Sequence, residues 1–455
     1  MKFTYGSDAD TIYAPATPVG RSALAIVRVS GPQTQQVFLQ LCGRIPESRK
    51  ATLSTLRDRT GVPIDQALVL YFPGASSPTG EEAGEFHLHG NMLLVDAFAL
   101  ELEHLGLRLA QPGEFTRRAV LAGKLDLTQA EALADLVEAE TTAQRRQAVS
   151  QLYGALGDPV LRWRNRLLDA LSLIEADIDF SDEDDVGEGL FMSALTIASQ
   201  VSDEIQTVLR DRGIGERVRD GFRVVIAGPP NAGKSTLLNC LAGRDVAIVT
   251  DIPGTTRDVL EVRLDLGGLP VRLFDTAGLH ESGDVVEQIG MARANDQLDA
   301  ADVVLWLKPA VGPDSDQSRI PPPLVAKVIH VLTKVDRLGA GEATIQGTGA
   351  DVAVSAVSGA GVDALVLAIQ QALPVSSVNE GMAITRRRHR EALTAAVAAL
   401  CRLPQGTEEN PTDWTELVLW AEDLRQAVFH VGCITGHARP DDVLDRIFTA
   451  FCIGK

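Results

Sequence analysis

The chain has 455 residues, 45% hydrophobic and 23% charged, which excludes a mainly disordered polypeptide and supplies apolar material for about three domains of roughly 150 residues. Lys and Arg number 42 against 61 Asp and Glu, so the net charge is −19, which excludes a broad electrostatic coat for nucleic acid but not a local basic site or a basic partner. The longest apolar runs, such as Val303–Leu307, fall far short of the ~18 residues that span a bilayer.

The start of the chain carries Asp8 and Asp10 and lacks a long apolar stretch, so no export signal is expected and the cytoplasm is the expected compartment. Cys42, Cys240, Cys401, Cys433 and Cys452 are scattered and form no CxxC pair; they read as reduced thiols, not a disulfide frame or zinc site.

Four segments follow in chain order. Residues 1–120 mix short strands with Gly/Pro turns; Ala23–Val29 and Ala67–Phe72 read as strands of an α+β or α/β module. Residues 121–220 are helical in texture, over Leu127–Val149, Val160–Ile178 and Leu190–Leu209. An acidic stretch, Asp177–Asp185, reads as a solvated loop, with metal binding the lesser reading. Residues 221–374 alternate strand and helix, with strands at Phe222–Ala227, Val271–Phe274, Val303–Leu307, Val328–Leu332 and Val352–Val354. That alternation predicts a mostly parallel sheet covered by helices on both faces. Residues 375–455 return to helices, at Arg390–Leu403, Trp414–His430 and Asp441–Phe451. The simplest architecture is a multidomain α/β plus α chain in which the third segment is inserted into a helical domain.

Gly228-Pro229-Pro230-Asn231-Ala232-Gly233-Lys234-Ser235 fits GxxxxGK[ST] between a strand and a helix that begins near Thr236. Glycines let backbone N–H groups turn toward phosphate oxygens, and a helix N-terminus adds partial positive charge. Lys234 would reach the terminal phosphates and Ser235 would ligate Mg²⁺. Asp275-Thr276-Ala277-Gly278 fits DxxG: Asp275 would hold the magnesium through water, and the Gly278 N–H would sense the γ-phosphate. Within Gly254-Thr255-Thr256-Arg257-Asp258, Thr256 is the expected second magnesium ligand. Thr333-Lys334-Val335-Asp336 resembles NKxD, with Asp336 accepting from the guanine N1–H and N2–H₂ edge, and Ser355-Ala356-Val357 would close over the base. In this order the motifs specify a Ras-like guanine-nucleotide domain.

Two departures stand out. Thr333 replaces the usual Asn and lacks its amide, which predicts a missing tie between the base-binding loops and weakened guanine affinity. Leu279 replaces a water-orienting Gln. Asn231 and the oxygen-rich loop Thr250-Asp251-Ile252-Pro253-Gly254-Thr255-Thr256 suit a hard monovalent cation, which could supply the charge of an arginine finger.

Over essentially its full length the sequence resembles the MnmE (TrmE) family of tRNA-modification GTPases. Within the nucleotide domain the resemblance rests on Gly228–Ser235 and on Ile248–Asp258. Outside that domain it rests on Asp10-Thr11-Ile12, Ala16-Thr17-Pro18, Gln111–Ala119, Lys124-Leu125-Asp126-Leu127 and Phe451-Cys452-Ile453-Gly454-Lys455. It implies an N-terminal domain that binds 5-formyl-tetrahydrofolate or a related folate and forms a homodimer, with Arg28, Glu85, Lys124 and Lys455 at the folate positions. It implies potassium ligands at Asn231, Thr250, Ile252 and Thr255, and a water-orienting Glu287. It also implies a flavoprotein partner, MnmG, with which C5 of the wobble uridine U34 of certain tRNAs receives an aminomethyl or carboxymethylaminomethyl group, and tRNA contacts carried partly by that partner. No membrane partner is expected.

Cys452 formally fits a prenylation box, which Gly454 and Lys455 suit poorly. The resemblance places it near the folate, so modification chemistry and a buried thiol both stay open. His87 and His89 alternate along a strand and, lacking a third ligand, read as structural or surface residues. Arg386–Arg390 reads as a solvated helix start, with RNA or partner contact as the alternative. Cys240 reads as core. Two rival functions are a regulatory GTPase switch in ribosome assembly and a folate-dependent one-carbon enzyme with an attached regulator. The net charge of −19 counts against the first.

Overall fold

The computed structural model describes residues 10–18, 20–179, 190–211, 213–244, 246–248, 261–275, 296–311, 326–338, 349–374, 383–404, 414–438, 447–448, 451 and 454. The chain divides into two compact units. One comprises Met1–Ala134, Val160–Arg164 and Phe429–Lys455, the other Asp135–Pro159 and Asn165–Val428. No helix among the described residues is long and apolar enough to cross a membrane.

The first unit is built on a six-stranded sheet. Its strands are β1 (Ile12–Pro15), β2 (Ser22–Ser30), β3 (Thr52–Arg57), β4 (Pro63–Phe72), β5 (Ala83–Gly90) and β6 (Arg108–Leu109), in the order β3-β4-β5-β2-β1-β6. All pairs are antiparallel except β1 with β6. Strict alternation decides the faces. Val27, Val29, Val69, Phe86 and Leu88 point to one side, where α1 (Thr34–Cys42) and α2 (Met92–His104) bury them through Val37, Phe38, Phe98 and Leu102. The other face carries the row Leu53, Leu68, His87, Ile26 across four strands, with Leu70, Glu85 and Arg28 in the next row. Leu53 is 58% and Leu68 43% exposed. β1, β3 and β6 add to the strands expected from sequence, and β5 carries the expected His87–His89 alternation.

α3 (Glu114–Leu121) sits over a buried charge network. Glu114 accepts from Arg108 Nη1 and Nη2 at 2.9 and 2.6 Å, from Arg118 Nη2 at 3.1 Å and from the Gln111 N–H at 2.9 Å. Arg118, 4% exposed, also donates to Glu81 and to the Asp10 carbonyl. This accounts for the Glu and the second Arg of the Gln111–Ala119 motif. Gly113 is αL, and a Cβ there would lie 2.7 Å from the Phe448 carbonyl, so the returning chain requires glycine.

The helix expected over Leu127–Val149 is two helices, α4 (Leu127–Glu138) and α5 (Thr142–Leu152). Thr141 is extended and closes a capping box with Gln144, which starts a new helix. α6 (Gly157–Asp179), α7 (Leu190–Leu209) and α8 (Ile214–Asp220) follow. The acidic stretch expected as a loop begins inside α6, which runs through Asp179, and Asp177 accepts from the Phe191 N–H at 3.0 Å; residues 180–185 lie outside the described residues.

The second sheet has strands β7 (Phe222–Ala227), β8 (Glu261–Leu266), β9 (Leu269–Asp275), β10 (Val303–Pro309), β11 (Lys327–Thr333) and β12 (Val352–Ala353), in the order β12-β11-β10-β7-β9-β8. It is parallel except for the β8–β9 hairpin, whose two-residue Gly267-Gly268 turn has positive φ at both positions. α9 (Lys234–Ala242) and α10 (Val362–Ala372) bury Leu237, Leu241, Leu365 and Ile369 against Val224, Ile226, Leu273 and Leu305. Val225, Phe274 and Val304, on the opposite face, are also buried. Cys240 packs against the core, as expected. α11 (Arg387–Leu400) and α12 (Trp414–Thr435) complete the described helices.

Candidate nucleotide site

β7 ends at Ala227, and the loop from Gly228 turns the chain into α9. A Cβ at Gly228 (φ +147°) would lie 2.6 Å from the Leu307 carbonyl, so the loop passes against β10 only as glycine. Gly233 and Asn231 are also at positive φ, which turns backbone N–H groups toward one concavity. Lys234 is buried and donates from Nζ to the Gly228 and Pro229 carbonyls at 3.0 Å each, lying under the loop where a phosphate would draw it. Burial lowers its pKa, opposed by the nearby Asp275 carboxylate. Ala232 is buried beneath the loop, and Ser235 and Thr236 open α9.

Ser235 Oγ donates to Asp275 Oδ2 at 2.6 Å, and Asp275 is fully buried at the end of β9. The two motifs, forty residues apart, thus converge on one oxygen-rich point. A hydroxyl and a carboxylate at that separation fit the hard-oxygen chemistry of Mg²⁺.

The base side is assembled from β11 and the turn after β12. Thr333 Oγ1 donates to the Ala232 carbonyl at 2.7 Å, so the tie expected to be missing without the Asn amide is supplied by a hydroxyl. The next residue, Lys334 (φ +61°), bonds from Nζ to the Asn231 carbonyl, a contact that motif reading missed. Asp336 Oδ1 accepts from Ser355 Oγ at 2.6 Å, and that bond holds the Asp336 carboxyl below its ordinary pKa. Ser355 is itself fully buried and also accepts from the Ser358 N–H at 3.2 Å. Ala356 is half-buried, and Val357, 82% exposed, stands at the mouth.

Thr250, Asp251, Ile252, Pro253, Gly254, Thr255, Thr256, Thr276, Ala277, Gly278 and Glu287 lie outside the described residues, as do Cys452 and Lys455.

In the first unit, Arg28 Nε donates to Glu85 Oε1 at 2.9 Å across the β2–β5 pair, and His87 Nε2 lies 3.4 Å from Glu85 Oε2. Arg28 and Glu85, two of the four expected folate residues, therefore share the exposed sheet face. Lys124 bonds to the Ala75 carbonyl, on the loop after β4. Gly454, next to Lys455, lies against β1: a Cβ there would be 2.2 Å from the Pro15 carbonyl. His89 pairs with Asp65 at 2.7 Å. Arg386 and Arg390 are held in ion pairs with Asp135 and with Asp211 and Glu216, while Arg387 pairs with Glu391, so much of the basic run is spent inside the chain.

Two family descriptions match the chain: the GTP-binding protein TrmE N-terminus over residues 11–124 and the MnmE helical domain over residues 127–452. The chain belongs to the MnmE family. It is 47% identical over 452 residues to the tRNA modification GTPase MnmE of Methylobacterium radiotolerans, covering 99% of this chain and 100% of that one. It is 48% identical to the MnmE of Methylorubrum populi, covering 98% of each. Among solved structures, the G domain of the T. maritima FeoB iron transporter is 24% identical over 33% of this chain and 98% of that one, with a TM-score of 0.22. The MnmE relatives match both units, not the nucleotide domain alone.

Proposed function

We propose that the chain is a GTP hydrolase acting in tRNA modification. The observation that carries the reading is the nucleotide pocket itself, with Lys234, Ser235–Asp275 and Thr333–Asp336–Ser355 joined, on a chain that spans its MnmE relatives end to end. In finer terms it is a potassium-stimulated cytoplasmic GTPase that, with the flavoprotein MnmG, modifies C5 of U34 in certain tRNAs. Residues 1–120 form the folate and dimer domain, 121–220 and 375–455 the helical domain, and 221–374 the inserted G domain.

Ser235 and Asp275 would hold Mg²⁺, which supplies charge neutralisation between the phosphates. Lys234 is placed to move from the Gly228 and Pro229 carbonyls onto phosphate oxygens. Asp336, kept ionised and oriented by Ser355, selects guanine by accepting two N–H bonds. Asn231, on the exposed loop tip, with Thr250, Ile252 and Thr255 would hold K⁺, and Glu287 would orient the attacking water. Arg28, with Lys124 and Lys455, would meet the carboxylates of a folate, and the sheet face that carries Arg28 exposes Leu53 and Leu68, which fits burial against a second copy.

The test compares GTP turnover in KCl and NaCl and measures modified U34 in tRNA from cells lacking the chain. Faster turnover in KCl and loss of the modified nucleoside are expected. Equal rates would remove the cation, and intact modification would favour a regulatory switch.

A further inference from the structure

The chain leaves the helical part of the second unit through α8 into β7, and it is described again from Ala383 on its return. Both crossings converge on α4 and α5. Asp135 Oδ1 accepts from Arg219 Nε, on the outgoing crossing, at 2.9 Å and from Arg386 Nη2, on the returning one, at 2.7 Å. Its side chain is 12% exposed. Gln144, Gln147 and Gln151 recur at a spacing of three and four on α5 and so share one face. Each donates its amide to a backbone carbonyl at a crossing: Gln144 to Arg219 at 2.9 Å, Gln147 to Gly215 at 3.0 Å and Gln151 to Ala383 at 3.0 Å. Gln151 also bonds Thr385 Oγ1. The crossings touch one another, since a Cβ on Gly215 would lie 2.4 Å from the Ile384 carbonyl.

The same helices reach the far hairpin of the inserted sheet. The Ala143 N–H donates to the Gly268 carbonyl at 2.9 Å, and Arg263 Nη1 to Glu140 at 3.2 Å. A cavity of about 220 Å³ lies between these two sets of contacts, lined in part by Asp135, Gln144, Arg219 and Arg263.

We propose that Asp135 is a positioning residue for the GTPase. With the Gln144–Gln151 face it clasps both crossings of the inserted domain, and so sets how the nucleotide pocket is held while hydrolysis drives modification. This rests on the proposed function. The electrostatics make the clasp specific: two guanidinium groups, Arg219 and Arg386, converge on one carboxylate oxygen, and without its charge that shared link between the crossings is lost, while Arg219 keeps its pair with Asp220. Among the described residues of the nucleotide pocket none bonds to Asp135, so its loss should spare binding and strike coupling.

The experiment uses the full chain with Asp135→Asn and Asp135→Glu, and a second variant, Gln151→Met, that removes one amide donor while keeping the length of the side chain. For each, fluorescent GDP affinity, amide exchange over residues 213–221 and 383–390, and GTP-driven U34 modification with the flavoprotein partner are measured. In Asp135→Asn, exchange should rise about tenfold or more at both crossings and modification should fall about tenfold, with GDP affinity within about twofold of the parent. Asp135→Glu should recover most of the modification rate, and Gln151→Met should raise exchange at the returning crossing. Parental modification in Asp135→Asn, faster exchange at one crossing only, or a parallel loss of GDP affinity would overturn the proposal. Should Asp135→Asn fail to fold, Gln151→Met decides by the same readouts. If the parent chain modifies no tRNA, the functional reading fails, and exchange at both crossings still decides the clasp.

Discussion

The hydroxyl of Thr333 lies 2.7 Å from the carbonyl of Ala232, so the loop that reads the base is bonded directly to the loop that wraps the phosphates. Thr333 is buried, and Lys334 repeats the link one residue on, to Asn231. A ligand that orders either loop therefore orders both.

Thr333→Ala removes this bond and strands a buried carbonyl. A loss of about 1 kcal/mol, or roughly fivefold in GDP affinity, is expected, with Thr333→Ser close to the parent. Displacement of a fluorescent GDP measures it. Unchanged affinity for the alanine variant would make the tie irrelevant to binding.

Asp336→Asn exchanges an acceptor for a donor facing the base edge. The amide cannot take both guanine N–H groups, but it can donate to a 2-oxo base. GTP affinity should fall by at least about thirtyfold, and turnover of xanthosine triphosphate should appear. Parallel GTP and xanthosine triphosphate titrations of the full chain test the exchange; retained GTP preference would move base recognition elsewhere.

Acid should loosen the first unit through Glu114. Burial works to raise its pKa, but the hydrogen bonds of Arg108, with Gln111 and Arg118, outweigh it and leave the folded carboxyl below its ordinary 4.5. A depressed folded value means that the contribution is whole above the unfolded pKa and disappears as pH drops through the folded one. Amide protection of Ile12–Pro15 should decline from about pH 5 downward. Glu114→Gln should flatten that dependence and cost about 3 kcal/mol at neutral pH by leaving Arg118 buried with half its charge unmet. A parental pH profile in the variant would assign the acid response to other carboxylates.

Leu68→Asp places a charge in the middle of the open sheet face, beside Leu53. Light scattering should show a dimer for the parent and a monomer for the variant, since one unpaired buried carboxylate costs several kcal/mol. A variant that stays dimeric would put the contact on another surface.

The inserted domain was legible because its chemistry is local. The glycine loop, Asp275 and Asp336 each follow a short apolar strand, and strand-then-motif is visible in one dimension. The first unit was less so, because β1, β3 and β6 gain their strand character from pairing across up to about a hundred residues. Thr333 misled for a related reason. Its side chain lacks the Asn amide, but its partner is set by the approach of β11 to a loop far away in sequence. The Arg386–Arg390 run looked like a surface patch because the acids that absorb it, Asp135, Asp211 and Glu216, lie well over a hundred residues earlier.

The first unit draws its amino-terminal sheet together with Phe448, Phe451 and Gly454, the first two against Gly113 and the last against Pro15. On a ribosome adding about 5–20 residues per second, the sheet must wait on the order of tens of seconds for those late segments. During that interval the seam that Phe448, Phe451 and Gly454 fill is uncovered. A truncation before residue 429 would therefore leave the amino-terminal sheet without its closing piece, however complete the nucleotide domain.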